Sequence, residues 1–273
     1  MLFLYDLPDW LMAVAVIGTI VGLTYAAYFA FHRGWRQAFS DEQRNVAMTV
    51  LTVIATINSL LLAFLAVSVW ESFGAAETAV VEEANTIGEL ARDLAIFDSA
   101  QSRDARHQLR EYAGLVTTVE WRDMQRGQAN RQVWNAFDRM FVAIGAIEPD
   151  TPRRSALLPE ILARANELLK QRRTRLHTSE SAVPITLWAV VMIGTGLTVA
   201  TMFVLPATRF YLWMIGLLTT SIALVFYLIV AMDRPFAGEQ SISPEPFQLA
   251  IENMQRWDSE MTKPAVEHTT HEK

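Results

Sequence analysis

The sequence predicts an all-α membrane protein, with four transmembrane helices and a helical-bundle extramembrane domain inserted between the second and the third. Hydrophobic residues make up 52% of the 273 positions, which is more than a soluble domain usually carries. Four stretches of 22 to 25 residues contain no acidic or basic side chain. Each stretch is long enough to cross about 30 Å of hydrocarbon as a helix.

The chain divides into four parts on this basis. The predicted transmembrane segments are residues 10–31, 46–70, 183–205 and 211–232. Residues 1–70 then carry transmembrane helices 1 and 2, residues 71–182 the extramembrane bundle, and residues 183–232 transmembrane helices 3 and 4. Residues 233–273 form a C-terminal tail with a short amphipathic helix.

The first span is expected to be retained in the protein. It is longer than the core of a secretion signal, and Asp6 and Asp9 precede it where a signal has basic residues. A row of small residues along one side lets another helix approach closely: Gly18, Gly22, Ala26 and Ala30.

The second span carries a mildly polar face. Ser40 and Gln43 predict a capping box at its start, and Asn58 needs a partner on another helix because an unsatisfied amide in hydrocarbon is costly. Small and hydroxyl-bearing residues recur at steps of three and four along the opposite side, a row we call the seam. Its members are Thr49, Thr52, Thr56, Ser59, Ala63 and Ala66, and the same line extends to Trp70 at the end of the span.

Two interpretations of the seam stay open. Hydroxyl and methyl groups pack well between helices and bond to the preceding turn, which predicts a packing face. The same groups can line a water-filled pore when several subunits gather, with Thr49, Thr52, Thr56, Ser59, Ala63 and Trp70 as pore-lining residues.

The polar segment should form helices throughout. Asn130 is placed to cap one helix, Thr151 followed by Pro152 predicts the start of the next, and Gly127 suits the end of an earlier one. No Gly or Pro cluster follows Trp70, so the second span is expected to continue into the bundle, with Gly74 as the one weak point.

Just beyond that span, an acidic strip is interpreted as a solvated helix face or as a cation-attracting vestibule. It includes Glu77, Glu82 and Glu83.

Several classes of function are disfavoured. The chain has no cysteine, its five histidines are scattered, and no phosphate-binding or nucleophile motif is present, so we expect no catalytic residues, metal or cofactor. No acid or base lies inside a span, which disfavours proton-coupled transport. The net charge of -6 with no polybasic segment argues against a nucleic-acid partner.

The fourth span is expected to end at the sequence Asp233, Arg234, Pro235. Proline cannot continue a helix, and the two charges form a predicted structural ion pair at the membrane boundary.

The predicted orientation of the protein in the membrane depends on a small charge count. The short loops contain the basic residues Arg33, Arg36, Arg44 and Arg209. Because cytoplasmic loops carry an excess of basic residues, the short loops are predicted to be cytoplasmic and the helical domain to lie outside the cytoplasm.

Three motifs together resemble the bacterial bestrophin-like domain family of four-span membrane proteins. They are "LLLAFLAVSVWESF", then "VVEEANTIGELARDL", and finally Asp-Arg-Pro-Phe at residues 233–236. The resemblance implies a location in the bacterial inner membrane and similarity to bestrophins, which are pentameric chloride channels lined by the second membrane helix of each subunit. The chain lacks an Asn-Pro-Phe-Gly-Glu-Asp-like segment and a neck of aromatic and isoleucine residues.

The resulting hypothesis is a homo-oligomeric ion channel, for which a pentamer is the favoured assembly. It would conduct small ions, anions among them. The alternative is a non-conducting membrane scaffold or sensor whose helical bundle binds a partner.

Overall fold

The structure is a computed structural model that describes residues 2–34 and 39–262. Arg36, one of the charges used for the orientation, lies outside the described residues. Within the described ranges every regular element is helical. After a short 3₁₀ helix (Leu2–Asp6), the α-helices are α1 (Asp9–Gly34), α2 (Asp41–Phe97), α3 (Ala100–Leu115), α4 (Trp121–Met124), α5 (Arg131–Gly145), α6 (Pro152–Glu180), α7 (Ile185–Met202), α8 (Arg209–Met232) and α9 (Glu245–Thr262).

The four predicted spans are confirmed as helices. The described part of the chain has four helices long and apolar enough to cross a membrane, and the apolar stretches lie on α1, α2, α7 and α8. The fourth helix ends at Met232, three residues before the proline that was expected to stop it.

The second membrane helix continues without a break, as predicted. α2 has 57 residues and at 1.5 Å per residue is about 85 Å long. Its start has the predicted capping box: the Ser40 amide donates to the Gln43 side chain (2.9 Å) and the Gln43 amide donates to Ser40 Oγ (3.2 Å). The helix passes through Gly74, where no atom lies within 4 Å of the position that a Cβ would take.

The chain forms two compact units. The first, which we call the membrane unit, contains Met1–Ala75 and Ser181–Ser241. Its core brings Leu62, Leu65 and Val69 of α2 together with α7 and α8. A second cluster surrounds Tyr28 of α1, whose hydroxyl donates to the Leu205 carbonyl at 2.8 Å.

The second unit, which we call the helical unit, contains Ala76–Glu180 and Ile242–Lys273. The predicted helix starts are present, because Asn130 Oδ1 accepts from the amides of residues 132 and 133 and Thr151 Oγ1 accepts from the amide of Arg154. Gly127 has a φ of 66°, which suits its place after a helix end. The amphipathic tail helix α9 belongs to this unit, and its Phe247 is fully buried.

Candidate functional site

The seam of α2 is exposed in the single chain. Thr49, Thr52, Thr56, Ser59, Ala63 and Trp70 all lie on the surface, and Trp70 is 65% exposed. Ala66 is half-buried at the edge of the row. The chain's own helices therefore do not cover the seam, so in a membrane it meets lipid, another subunit or water.

The seam is separate from the two other faces of the same helix. Successive residues of an α-helix point about 100° apart. Around the helix axis, the seam therefore lies about 120° from the buried face and about 80° from an exposed apolar face. The buried face packs in the membrane unit and includes Leu51, Asn58, Leu62, Leu65 and Val69. The exposed apolar face includes Val53, Ile57, Leu60, Phe64 and Val67.

The threonine hydroxyls of the seam donate to the preceding turn of their own helix. Thr49 Oγ1 lies 3.0 Å from the Asn45 carbonyl oxygen, Thr52 Oγ1 lies 2.9 Å from that of Met48, and Thr56 Oγ1 lies 2.7 Å from that of Thr52. Their protons are engaged, while their oxygen lone pairs remain able to accept. The face therefore presents hydrogen-bond acceptors to whatever lies beside it.

Asn58 has the predicted partner on another helix. Its Nδ2 donates to Thr195 Oγ1 of α7 at 3.2 Å, and the residue is 2% exposed. A Cβ atom on Gly194 would lie 2.3 Å from Asn58 Oδ1. The absence of a side chain at position 194 therefore makes room for this amide.

The acidic strip requires a correction. Glu77 and Glu82 are exposed, but Glu83 is fully buried and accepts a hydrogen bond from Arg175 Nε at 2.6 Å. Neighbouring helix residues point about 100° apart, so Glu82 and Glu83 cannot share one face. Glu83 is thus part of the core of the helical unit and not of a vestibule. Among the described residues, no group of three or more histidine or acidic side chains could hold a metal ion.

Glu83 belongs to a buried ion cluster that the sequence interpretation missed. Arg172 contacts both carboxylate oxygens of Glu120, at 2.8 and 2.7 Å, and Arg175 Nη2 reaches Glu120 at 2.8 Å. Tyr112 donates its hydroxyl to Glu83. All four charged side chains are 0% exposed, and two positive charges face two negative ones.

The position of Glu120 follows from a local change of helix type. Residues Val116–Glu120 form a π-helical turn between α3 and α4, and such a turn widens the helix. Burial alone would raise the pKa of Glu120, but the guanidinium groups of Arg175 and Arg172 outweigh it and hold the pKa below its ordinary value. Glu120 is therefore ionised at neutral pH, with the guanidinium groups of Arg172 and Arg175 as its counter-charges.

At the end of α8, Asp233 has a backbone partner. Its Oδ1 accepts from the amide of Val183 at 2.7 Å, and Phe236 is buried after the turn. Within the described residues, no ion pair or hydrogen bond joins Asp233 to Arg234, so the predicted direct contact is absent. Burial raises the pKa of Asp233, while the Val183 amide and the charge of Arg234 act in the opposite direction.

Four apolar helices and an all-helical second unit define an integral membrane protein of the four-span helical class. The chain belongs to the bestrophin-like domain family, because the model of that family matches residues 18–247. No curated protein matches the chain.

Two solved structures have a similar fold. One is the crystal structure of a point mutant of a membrane protein. Its alignment with this chain has a TM-score of 0.64 and 10% sequence identity, and it covers 89% of this chain and 97% of that one. The other is a bacterial bestrophin homolog from Klebsiella pneumoniae carrying one substitution, with a TM-score of 0.64 and 10% identity, covering 90% and 98%. At this identity the likeness concerns the fold.

Proposed function

We propose that this protein is a homo-oligomeric ion channel whose pore is lined by α2. The observation that supports the proposal is the seam: a row of hydroxyl-bearing and small side chains that crosses the span and is left uncovered by the chain's own helices. Lipid is a poor neighbour for hydroxyl oxygens, because it offers no hydrogen-bond donor. Water in a pathway between subunits offers many.

Membership of the bestrophin-like family and the fold of the bacterial bestrophin homolog both support a channel. In this proposal several copies, with five favoured, place their seams around a common axis. Thr49, Thr52, Thr56 and Ser59 supply the polar lining, and Ala63 keeps the pathway open. Trp70 narrows it with a bulky exposed ring, as hydrophobic constrictions do in other channels.

The carboxylate of Glu77, beyond the constriction at Trp70, affects whether the proposed pore selects cations or anions. Glu77 continues the line of the seam past Trp70 at helical spacing, whereas Glu82 points elsewhere on the helix. A ring of carboxylates at a mouth attracts cations, and the threonine protons are engaged with the backbone. Anion conduction, which the family implies, would require those hydroxyls to turn towards the ion. Reversal potentials under a KCl gradient, for the parent and for Glu77→Gln, distinguish the two outcomes.

A specific observation also favours the non-conducting scaffold. Threonines that donate to the preceding turn leave no hydroxyl proton unsatisfied, so the seam can also pack against a second helix from another subunit. In that case the interface would be dry, and removing Trp70 would open a cavity without opening a route for ions.

Reconstituted vesicles separate the two proposals. Purified protein is incorporated into liposomes and ion flux is measured for the parent, for Trp70→Ala and for Phe64→Ala. Phe64 is an equally exposed ring on the apolar face of the same helix, at 65%, so it is the matched control. The channel proposal expects flux that rises with Trp70→Ala and is unchanged with Phe64→Ala. Absence of flux from both the parent and Trp70→Ala would contradict it and support the scaffold.

We further propose that the protein resides in the bacterial inner membrane with the helical unit outside the cytoplasm. Four basic residues just before the third span argue against this orientation: Lys170, Arg172, Arg173 and Arg175. Lys170 and Arg173 are exposed, whereas Arg172 and Arg175 are buried and paired in the core of the helical unit. They do not act as free charges flanking the membrane. Labelling of a single introduced cysteine at exposed Val142 in intact cells tests this orientation.

A further inference from the structure

The helical unit contains a cavity of about 520 Å³, a size typical of sites for small molecules. Its polar lining comes mainly from α3, and α9 closes one side with Asp258. The charged and ionisable side chains that line it are Arg103, Arg106, His107, Arg110, Asp98 and Asp258. Leu94 and Ala95 of α2 supply an apolar wall.

The charges in this cavity do not balance. Three guanidinium groups meet two carboxylates. Arg103 pairs with Asp98 at 2.8 Å, and both side chains are largely exposed, so water screens that pair. Arg106 and Arg110 are left to share the single carboxylate of Asp258.

Burial makes the excess charge costly. The Arg106 side chain is only 7% exposed. The Nε atoms of Arg106 and Arg110 are buried, and neither has a hydrogen-bond partner in the described part of the chain. Buried cationic groups without sufficient partners favour an added anion, and guanidinium groups bind carboxylates and phosphates through paired N–H donors.

We propose that this cavity binds a small oxyanion, carried by a phosphate or carboxylate compound, and that Asp258 of α9 partly occupies the site as an internal ligand. Arg106 and Arg110 are the binding residues. The proposal depends on these charges and their burial and is independent of ion conduction.

The internal ligand has a direct consequence. An external oxyanion competes with Asp258 for the same two guanidinium groups, so bound anion weakens one contact between α9 and α3. The tail helix remains attached through other contacts, among them the Arg92 guanidinium, which lies 5.1 Å from the centre of the Trp257 ring. The anion therefore changes the position of the end of α9 without releasing the whole helix.

Calorimetric titration of the detergent-solubilised full chain tests the proposal. Sodium phosphate and sodium succinate are titrated separately, with sodium chloride at matched ionic strength as the reference, and the comparison of the two tells which oxyanion chemistry is preferred. We expect saturable binding of at least one oxyanion, about tenfold weaker in Arg110→Gln, because one charge-assisted hydrogen bond is lost. Asp258→Asn is expected to tighten binding by a similar factor, because it removes the competitor.

The matched control is Arg139→Gln, which removes an exposed guanidinium that is paired with Glu111 elsewhere in the same unit and should leave binding unchanged. Arg106→Gln is expected to abolish binding, and the less buried Arg110 keeps the test valid if that variant fails to fold. Three results would overturn the proposal: no saturable binding in the parent or in Asp258→Asn, the same affinity in Arg110→Gln, or a loss with Arg139→Gln equal to that with Arg110→Gln.

Discussion

Asn58 of α2 and Gly194 of α7 are in such close contact that a Cβ atom at position 194 would lie 2.3 Å from the Asn58 side-chain oxygen. Asn58 cannot simply rotate away, because it is 2% exposed and its amide nitrogen is bonded to Thr195. This contact connects two of the membrane-spanning helices at a polar point within the apolar core of the membrane unit.

Gly194→Ala should therefore destabilise the membrane unit, by about 1 to 3 kcal/mol, the usual cost of an overpacked core. The matched control is Gly196→Ala, two residues along the same helix, where no atom lies within 4 Å of the added methyl group. Thermal unfolding of the solubilised protein compares the two variants. Equal melting temperatures for both would show that the Asn58 contact is not tight.

The buried ion cluster predicts a dependence of stability on pH. The pKa of Glu120 is lower in the folded protein than its ordinary value of 4.5. The stabilisation by its ionised form is therefore complete above about pH 4.5 and is lost as the pH falls through the lowered pKa. Glu120→Gln should remove this part of the acid dependence. At pH 7 it should cost about 3 to 5 kcal/mol, because Arg172 then lacks its buried partner charge and Arg175 retains only Glu83.

Unfolding of the parent and of Glu120→Gln is followed between pH 7 and pH 3. The control is Glu111→Gln, which removes a partly exposed carboxylate that pairs with Arg139, and it should behave like the parent at pH 7. A Glu120→Gln variant that is as stable as the parent at pH 7 would contradict the cluster's structural role.

Asp233 is predicted to act through the backbone of Val183. Asp233→Ala leaves that partly buried amide without its acceptor, at a cost of about 1 to 3 kcal/mol, whereas Asp233→Asn retains a side-chain oxygen. We expect Asp233→Ala to lower the melting temperature clearly, and Asp233→Asn and Arg234→Gln to lower it only slightly. Losses for Asp233→Asn and Arg234→Gln that are both as large as the loss for Asp233→Ala would instead restore the direct ion pair as the main interaction.

The continuity of α2 predicts different results for two substitutions at Gly74. Proline removes a helical hydrogen bond and clashes with the preceding turn, at a cost of about 3 kcal/mol or more. Gly74→Ala adds a methyl group into open space and should be neutral or stabilising, since alanine favours helix. Melting temperature and oligomer size of the purified variants are the measurements. Identical behaviour of the two variants would contradict a continuous helix at this point.

The sequence predicted the elements whose signals are local. The four spans, the capping box at Ser40 and the cap at Asn130 depend on residues close together in the chain, and the structure has them where the sequence indicated. The need for a partner for Asn58 was also predictable from chemistry, although Thr195 could not be named.

The buried cluster was missed because charge was taken as a sign of exposure. Glu83 lies between Val80 and Ile87 at helical spacing, in register with their buried row. Arg172 continues the row of Ala165 and Leu168 in the same way. The helical spacing of these charged residues relative to the buried apolar residues was thus a usable signal. Which carboxylate pairs with which guanidinium, however, depends on tertiary packing. The π-helical turn that positions Glu120 had no signal in the sequence.

The most direct test of the pore is the reactivity of single cysteines on the three faces of α2. The parent has no cysteine, so Thr56→Cys, Ile57→Cys and Asn58→Cys each carry one thiol, on the seam, the exposed apolar face and the buried face. With the protein in vesicles, a water-soluble thiol reagent should modify Thr56→Cys and block its ion flux, while Ile57→Cys and Asn58→Cys remain unreactive. An unreactive Thr56→Cys, or one no more reactive than Ile57→Cys, would contradict a water-filled pathway along the seam.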